Sequence, residues 1–223
     1  DLRKALNYGL DRKEMIRFLK NNIGSPATKG FIPDGLNTNL AVRGYSYNIK
    51  KAKQLVEQFR IDSGIQNPTL SLASDENYVD LCTYLQNTYN QIGITINIEV
   101  MPSAALREAK SNGKLELFRA SWIADYPDPE NYLLPYFSEN FSPNGPNYTH
   151  FKSKRFDEGY KEIAATLDAD RKNNLTNSLD QQLVDTAPFI LLYYDEVLRF
   201  THPNVEGMTP NPVNMLDLRR VRK

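Results

Sequence analysis

The chain has 223 residues, and its 27 basic and 27 acidic side chains cancel to a formal charge of zero. That balance argues against a nucleic-acid surface, which needs a basic stripe, and no apolar run approaches the ~20 residues of a membrane-spanning helix. At 40% hydrophobic and 24% charged residues the composition is that of an ordinary globular chain, and one cysteine, Cys82, excludes an internal disulfide and any multi-cysteine metal site.

Leu2, Ala5, Leu6, Gly9 and Leu10 recur at helical spacing. Asp11 reads as the N-cap of a second helix, with Glu14 completing a capping box and Leu10 and Met15 placed as a hydrophobic staple. Met15, Ile16 and Leu19 form its inward stripe. Residues 24–47, rich in Gly and Pro, read as a long ordered loop. Such a length is uncommon in a compact domain unless the loop has a task, and wrapping over a cleft is one. Asn48 is placed to cap a helix whose inner face is Ala52, Leu55, Val56 and Phe59.

Leu70 and Leu72 alternate in a short strand after Pro68. A helix over 77–91 carries Tyr78, Leu85 and Tyr89, with Cys82 among them as a small buried hydrophobe. Ile94, Ile96, Ile98 and Val100 alternate with polar residues, the pattern of a half-buried strand. A helix over 103–112 and a strand over 115–121 follow. Strands alternating with helices predict an α/β fold with a partly parallel sheet covered by helices.

An aromatic loop runs from Trp122 to about Phe151. Ser153 is placed to cap a helix with Phe156, Tyr160, Ile163, Ala164 and Leu167 on one face. Asp168 or Asp170 caps the next, with Leu175, Leu179 and Leu183 inward. Residues 189–194 are short and apolar and read as a buried strand. The tail over 195–223 holds Pro203, Pro210 and Pro212 and reads as irregular.

The strand over 115–121 delivers Trp122-Ile123-Ala124-Asp125-Tyr126-Pro127-Asp128-Pro129 into that loop. Loops held by a rigid scaffold carry function more often than the scaffold does. Five other segments accompany this run in order. Arg3 to Arg12 follows the pattern Arg-x-Ala-hydrophobic-x-Tyr-Ala-hydrophobic-Asp-Arg, with Gly9 in place of the second Ala. Gly24-Ser25-Pro26-Ala27 is a Gly-x-Pro-Ala turn. Tyr47 to Leu55 follows Tyr-Asp-Pro-x-Lys-Ala-Lys-x-Leu, with Asn48 for Asp and Ile49 for Pro. Gln91-Ile92-Gly93-Ile94 and Ala187-Pro188 complete the set. Together these segments resemble the extracytoplasmic solute-binding proteins of peptide ABC importers, the oligopeptide- and dipeptide-binding family 5, over nearly the whole chain.

The resemblance implies a type II periplasmic-binding-protein-like lobe, a mixed sheet flanked by helices. Residues 1–194 would be the large C-terminal lobe and 195–223 a tail crossing back to a missing N-terminal lobe. The chain starts at Asp1 inside a helical pattern, so it is expected to be a fragment of a two-lobed protein. That parent would be a non-enzymatic monomer without cofactor, periplasmic or on the cell surface, anchored as a lipoprotein. It would bind short peptides and pass them to an ABC transporter permease.

By the same resemblance Asp125 pairs the α-ammonium group of the ligand, through a charge-assisted hydrogen bond; the alternative is a turn aspartate capping local backbone. Trp122, Ile123, Ala124 and Tyr126 would contact an extended peptide through backbone groups and aromatic faces, although Trp122 could equally be a core side chain. In a straight strand Arg119 would share a face with Asp125, roughly 20 Å away at ~3.3 Å per residue. It would then meet the peptide carboxylate, or else pair with Glu116. Tyr148 reads as a cleft-edge or packing residue.

Family members also carry sugars, nickel complexes and haem, and these are alternative ligands. His150 and His202, the only two histidines, lie far apart and weaken the nickel option. A carboxylate-dependent hydrolase built on Asp125, Asp128 and Glu130 is the enzyme alternative. Against it, Asp128 followed by Pro129 is the ordinary start of a helix over 130–136, and Glu130 suits that helix N-terminus.

Overall fold

Asp11 ends one helix and starts the next. Its carboxylate accepts hydrogen bonds from the Lys13 and Glu14 amides, both at 3.1 Å, and so turns α1 (Leu2–Tyr8) into α2 (Arg12–Lys20). Leu10 and Met15 bury completely beside it. The Glu14 carboxylate turns to Arg17, at 3.5 Å, so the cap is one-sided and not a reciprocal box. Strand β1 (Ser25–Pro26) follows, and then α3 (Ile49–Ser63), capped by Asn48 accepting from the Lys51 amide at 2.9 Å. The computed structural model describes residues 1–36, 42–211 and 215–223. Part of the loop expected over 24–47 and Pro212 of the tail lie outside them.

A three-stranded parallel sheet comes next: β2 (Thr69–Ser74), β3 (Thr95–Val100) and β4 (Leu117–Phe118), in the order β3-β2-β4. Between them run a 3₁₀ turn over Glu76–Tyr78, helix α4 (Val79–Asn90) and helix α5 (Ser103–Ser111). The chain moves outward from β2 to β3, then returns to the far side of β2. Right-handed crossovers therefore put α4 and α5 on opposite faces. Leu72, Ile94 and Ile96 bury against Leu81, Cys82, Leu85 and Tyr89 of α4, with Ala5, Leu6 and Val56 beneath. The isoleucine alternation fades at Val100, which is exposed at the free end of an edge strand.

The strand expected over 115–121 pairs at only two residues. The Glu116 side chain accepts from the Ser71 amide at 2.9 Å, so a side chain takes the donor that a longer ladder would use. The Arg119 amide makes the last bond, to Ala73 O at 3.1 Å.

The second half is helical: α6 (Glu130–Leu133), 3₁₀ turns over Leu134–Tyr136 and Ser138–Asn140, then α7 (Lys154–Ala165) and α8 (Ala169–Thr186). Ser153 caps α7, accepting from Phe156, and Asp168 rather than Asp170 caps α8, accepting from Arg171. Their inward faces join Ile32, Leu133, Tyr136 and Phe137 in a second, aromatic core. Ala164 and Leu167, expected on the buried face, are exposed. Helix α7 ends at Ala165, so the helical spacing that would have carried Leu167 inward stops before reaching it.

Residues 189–194 are half-buried and largely without strand pairing. Only β5 (Tyr193–Tyr194) pairs, antiparallel to β1 and in a separate sheet. The carbonyls of Phe189 and Leu191 are taken instead by the side chains of Asn7, at 2.9 Å, and Arg12, at 2.6 Å. The described part of the tail has no helix or strand beyond a single bridge between Glu206 and Arg222.

Asp180 of α8 is fully buried against the segment at 30–32, accepting from the Phe31 and Ile32 amides at 2.7 and 3.4 Å. A Cβ on Gly30 would stand 1.9 Å from an Asp180 oxygen, so only glycine fits there. Burial pushes the Asp180 carboxyl up from 3.8 to about 6, against the pull of its two amide donors. The fold holds this proton more tightly than the unfolded chain does, so the contribution is full below the ordinary value and is lost as pH rises through about 6. Stability should fall by on the order of 3 kcal/mol across that window, and Asp180→Asn should remove that slope. Urea midpoints of both proteins at the two ends of the window check this; parallel pH profiles would refute it.

Candidate functional site

In open α/β sheets ligands bind outside the carboxyl ends of the strands, where the strand order reverses. Here that edge is formed by the ends of β2, β3 and β4, and the chain leaves β4 at Arg119 across it. The next ten residues contain the aspartate and aromatic side chains singled out from the sequence.

One buried amide holds the loop in place. Asn131 of α6 is fully buried, and its Oδ1 accepts from the Trp122 indole at 3.0 Å and from the Asp125 backbone amide at 3.2 Å. Ala124 is buried between those two contacts. The Asp128 carboxylate accepts from the Glu130 amide at 2.9 Å and pairs with Lys172 at 2.6 Å. The Tyr126 and Tyr160 hydroxyls both donate to the Glu130 carboxylate. Burial and that carboxylate hold the Tyr126 phenol above its ordinary pKa, which keeps it a donor.

What remains outward is chemically simple. Ile123 is 65% exposed, Tyr126 is 42% exposed, and Asp125 is exposed between them. Among the described residues the Asp125 carboxylate has no hydrogen-bond or ion-pair partner. The loop therefore presents a free anion beside apolar surface, on a backbone fixed from within.

Arg119 lies apart from this group. Its guanidinium sits 3.6 Å over the Tyr78 ring, and Nη1 donates to Ser121 Oγ at 3.4 Å. It does not pair with Glu116, which is engaged by Ser71. Strand β4 ends at Phe118, so no straight strand joins Arg119 to Asp125. Trp122 is half-buried and anchors the loop through its N–H. Tyr148 packs under the Lys110 ammonium at 4.4 Å. His150 stacks on Phe141 with centroids 5.0 Å apart. Asp128 and Glu130 are engaged in holding the loop and the start of α6, which removes them as a free carboxylate pair.

Sequence reasoning missed Asn131, Tyr160 and Lys172 as supports of the loop. The one available signal was Asn131 itself, a poor helix former placed in the first turn of an apolar segment.

Residues 1–144 match the profile of the bacterial extracellular solute-binding proteins, family 5, a span that contains the run from Trp122 to Pro129. The chain is similar to the dipeptide-binding protein DppE of Bacillus subtilis, 24% identical over 98% of this chain and 41% of that protein. It is also similar to the heme-binding protein A of Haemophilus influenzae, 25% identical over 95% of this chain and 39% of that protein. The fold matches that of the periplasmic binding protein DppA of Helicobacter pylori, solved in complex with the peptide STSA. The TM-score there is 0.81 at 23% identity, covering 98% of this chain and 43% of that one. The chain thus spans about two-fifths of the length of the curated relatives it matches.

Proposed function

The chain belongs to the bacterial extracellular solute-binding proteins of family 5, and from that membership we propose that it is the C-terminal lobe of a non-enzymatic binding protein that hands short peptides to an ABC permease. The observation that carries this reading is the free Asp125 carboxylate on a loop whose other polar groups are tied down. A peptide α-ammonium is the cation that such a site, closed and dried by an opposing lobe, binds best. Ile123 and Tyr126 offer apolar contact to an extended ligand, Trp122 and Ala124 fix the backbone that meets it, and Arg119 receives its carboxylate.

Residues 1–194 are the lobe, and 195–223 return to the N-terminal part of the longer protein. The exposed apolar side chains of that tail, including Phe200 at 92%, suit a covering partner of the same chain. No helix among the described residues is long and apolar enough to cross a membrane. The parent acts outside the cytoplasmic membrane as a monomer, held there by a lipid anchor.

The test is native mass spectrometry of the full-length protein purified without denaturation. A mixed population of short peptides on the protein supports the reading. A single porphyrin, sugar or metal-complex mass in their place would replace the ligand class and leave the fold assignment standing. The isolated lobe, lacking its opposing surface, should bind the same peptides far more weakly than the parent; micromolar binding by the lobe alone would sink that part of the proposal.

A further inference from the structure

The side-chain amide that holds the ligand loop is engaged at one end only. Asn131 Oδ1 accepts from both the Trp122 indole and the Asp125 amide. Its Nδ2 is fully buried and makes no hydrogen bond among the described residues. A buried donor left unpaired is costly, and one that persists calls for an explanation. The Tyr126 hydroxyl lies within its influence. Burial and the Glu130 carboxylate raise the Tyr126 pKa, and the Asn131 side chain pulls it back down. A donor directed at the phenol oxygen has that sign.

Tyr126 has an acceptor to offer. Its hydroxyl donates to one oxygen of Glu130, and Tyr160 of α7 donates to the other. A phenol that donates once can still accept, and an acceptor is what Nδ2 lacks. Tyr126 is 42% exposed, so water reaches it from the side where a ligand would lie. A peptide seated on the Asp125 carboxylate covers this ring and strips that water, leaving the phenol oxygen in need of a donor. The Asn131 amide is the donor beside it, and an inward shift of the ring joins the two.

We propose that peptide binding closes a hydrogen bond from Asn131 Nδ2 to the Tyr126 hydroxyl oxygen, which makes Asn131 a positioning residue that tightens binding through Tyr126. This rests on the peptide-binding reading above. One buried side chain then carries two tasks: Oδ1 fixes the loop whether or not a ligand is present, and Nδ2 locks Tyr126 against the ligand.

Substituting Asn131 itself would release the loop, so the test keeps it and changes the hydroxyls around it. Full-length protein isotopically labelled at asparagine reports exchange of the Asn131 side-chain amide protons by NMR. Calorimetry reads affinity for Ala-Ala, Ala-Ala-Ala and Ala-Ala-Ala-Ala, and the tightest of the three serves as the ligand. In the wild type, saturation with that peptide should slow the exchange by about tenfold or more. Tyr126→Phe keeps the ring and removes the oxygen. It should abolish the slowing and weaken binding by about 3- to 10-fold, the scale of one neutral hydrogen bond. Tyr160→Phe also takes a hydroxyl from Glu130 but leaves the Tyr126 oxygen, and should keep the slowing. Unchanged exchange in the peptide-bound wild type, slowing that survives Tyr126→Phe, or slowing that both variants lose overturns this inference alone. If the wild type binds none of the three peptides, the peptide reading itself falls and takes this bond with it.

Discussion

Replacing Arg12 by methionine should destabilise the folded protein by about 4–5 kcal/mol, among the largest single-site effects expected of this chain. The side chain is almost wholly buried. Its Nε donates to Leu191 O at 2.6 Å, Nη1 reaches Asn7 O at 3.0 Å and Leu10 O and Tyr45 O at 3.4 Å, and Nη2 donates to Asn7 Oδ1 at 3.1 Å. One guanidinium thus joins the buried carbonyls at the end of α1 to two chain segments more than thirty and more than 170 residues away. No carboxylate neutralises it, since Asp11 faces the start of α2. Burial lowers its pKa, against the smaller opposing pull of Tyr89, Tyr194, Asp11 and Tyr45.

Methionine matches the apolar volume but leaves these carbonyls dry, and each buried unsatisfied group costs about 1–3 kcal/mol. Lysine should not rescue, because a compact ammonium cannot span a fork of acceptors in three directions. Urea unfolding of the ligand-free full-length protein, followed by circular dichroism, reads the loss. Faster amide exchange in residues 1–12 and 189–194 should accompany it. A variant within about 1 kcal/mol of wild type would show that water replaces the guanidinium, contrary to this account.

The second large effect concerns binding. Asp125→Ala in the full-length protein should weaken peptide affinity by roughly 30- to 1000-fold, the equivalent of about 2–4 kcal/mol for one member of a desolvated charge pair. Stability should change by less than about 0.5 kcal/mol, because the carboxylate is exposed and supports nothing in the fold. The Asp125 amide, which does bond to Asn131, survives the substitution. An N-acetylated peptide should lose a similar factor on the wild type and little more on the variant, since both changes remove the same pair. Equal affinity of wild type and variant for a free-amine peptide would move the ammonium site elsewhere.

Much of the fold was legible because it depends on local rules. The caps at Asp11, Asn48, Ser153 and Asp168 each satisfy an amide two or three residues ahead, so sequence spacing alone locates them. The alternation over 94–98 and the stripe of Cys82, Leu85 and Tyr89 are likewise properties of one element. The errors fell where a distant group intervened. Glu116 shortened β4 by capturing Ser71 from another strand, and Asn7 and Arg12 kept residues 189–192 from a ladder by taking their carbonyls from across the molecule. Leu167 kept its place in the helical period but not its helix.

The site divides in the same way. The run from Trp122 to Pro129 identified the loop and the aspartate, since family motifs are strings of neighbouring residues. It also set Asp128 and Glu130 aside for the start of α6, but it could not name the distant partners that hold them: Lys172 for Asp128, Tyr160 for Glu130, and none for Asp125. Those partners lie up to 44 positions away and converge only when α6, α7 and α8 pack around Leu133, Phe156 and Leu179. By itself, then, the sequence determined the family, the order of elements and the loop that carries the charge. Tertiary packing decided which charges are spent on structure and which are left for a ligand, because hydrogen-bond satisfaction is settled by proximity in space.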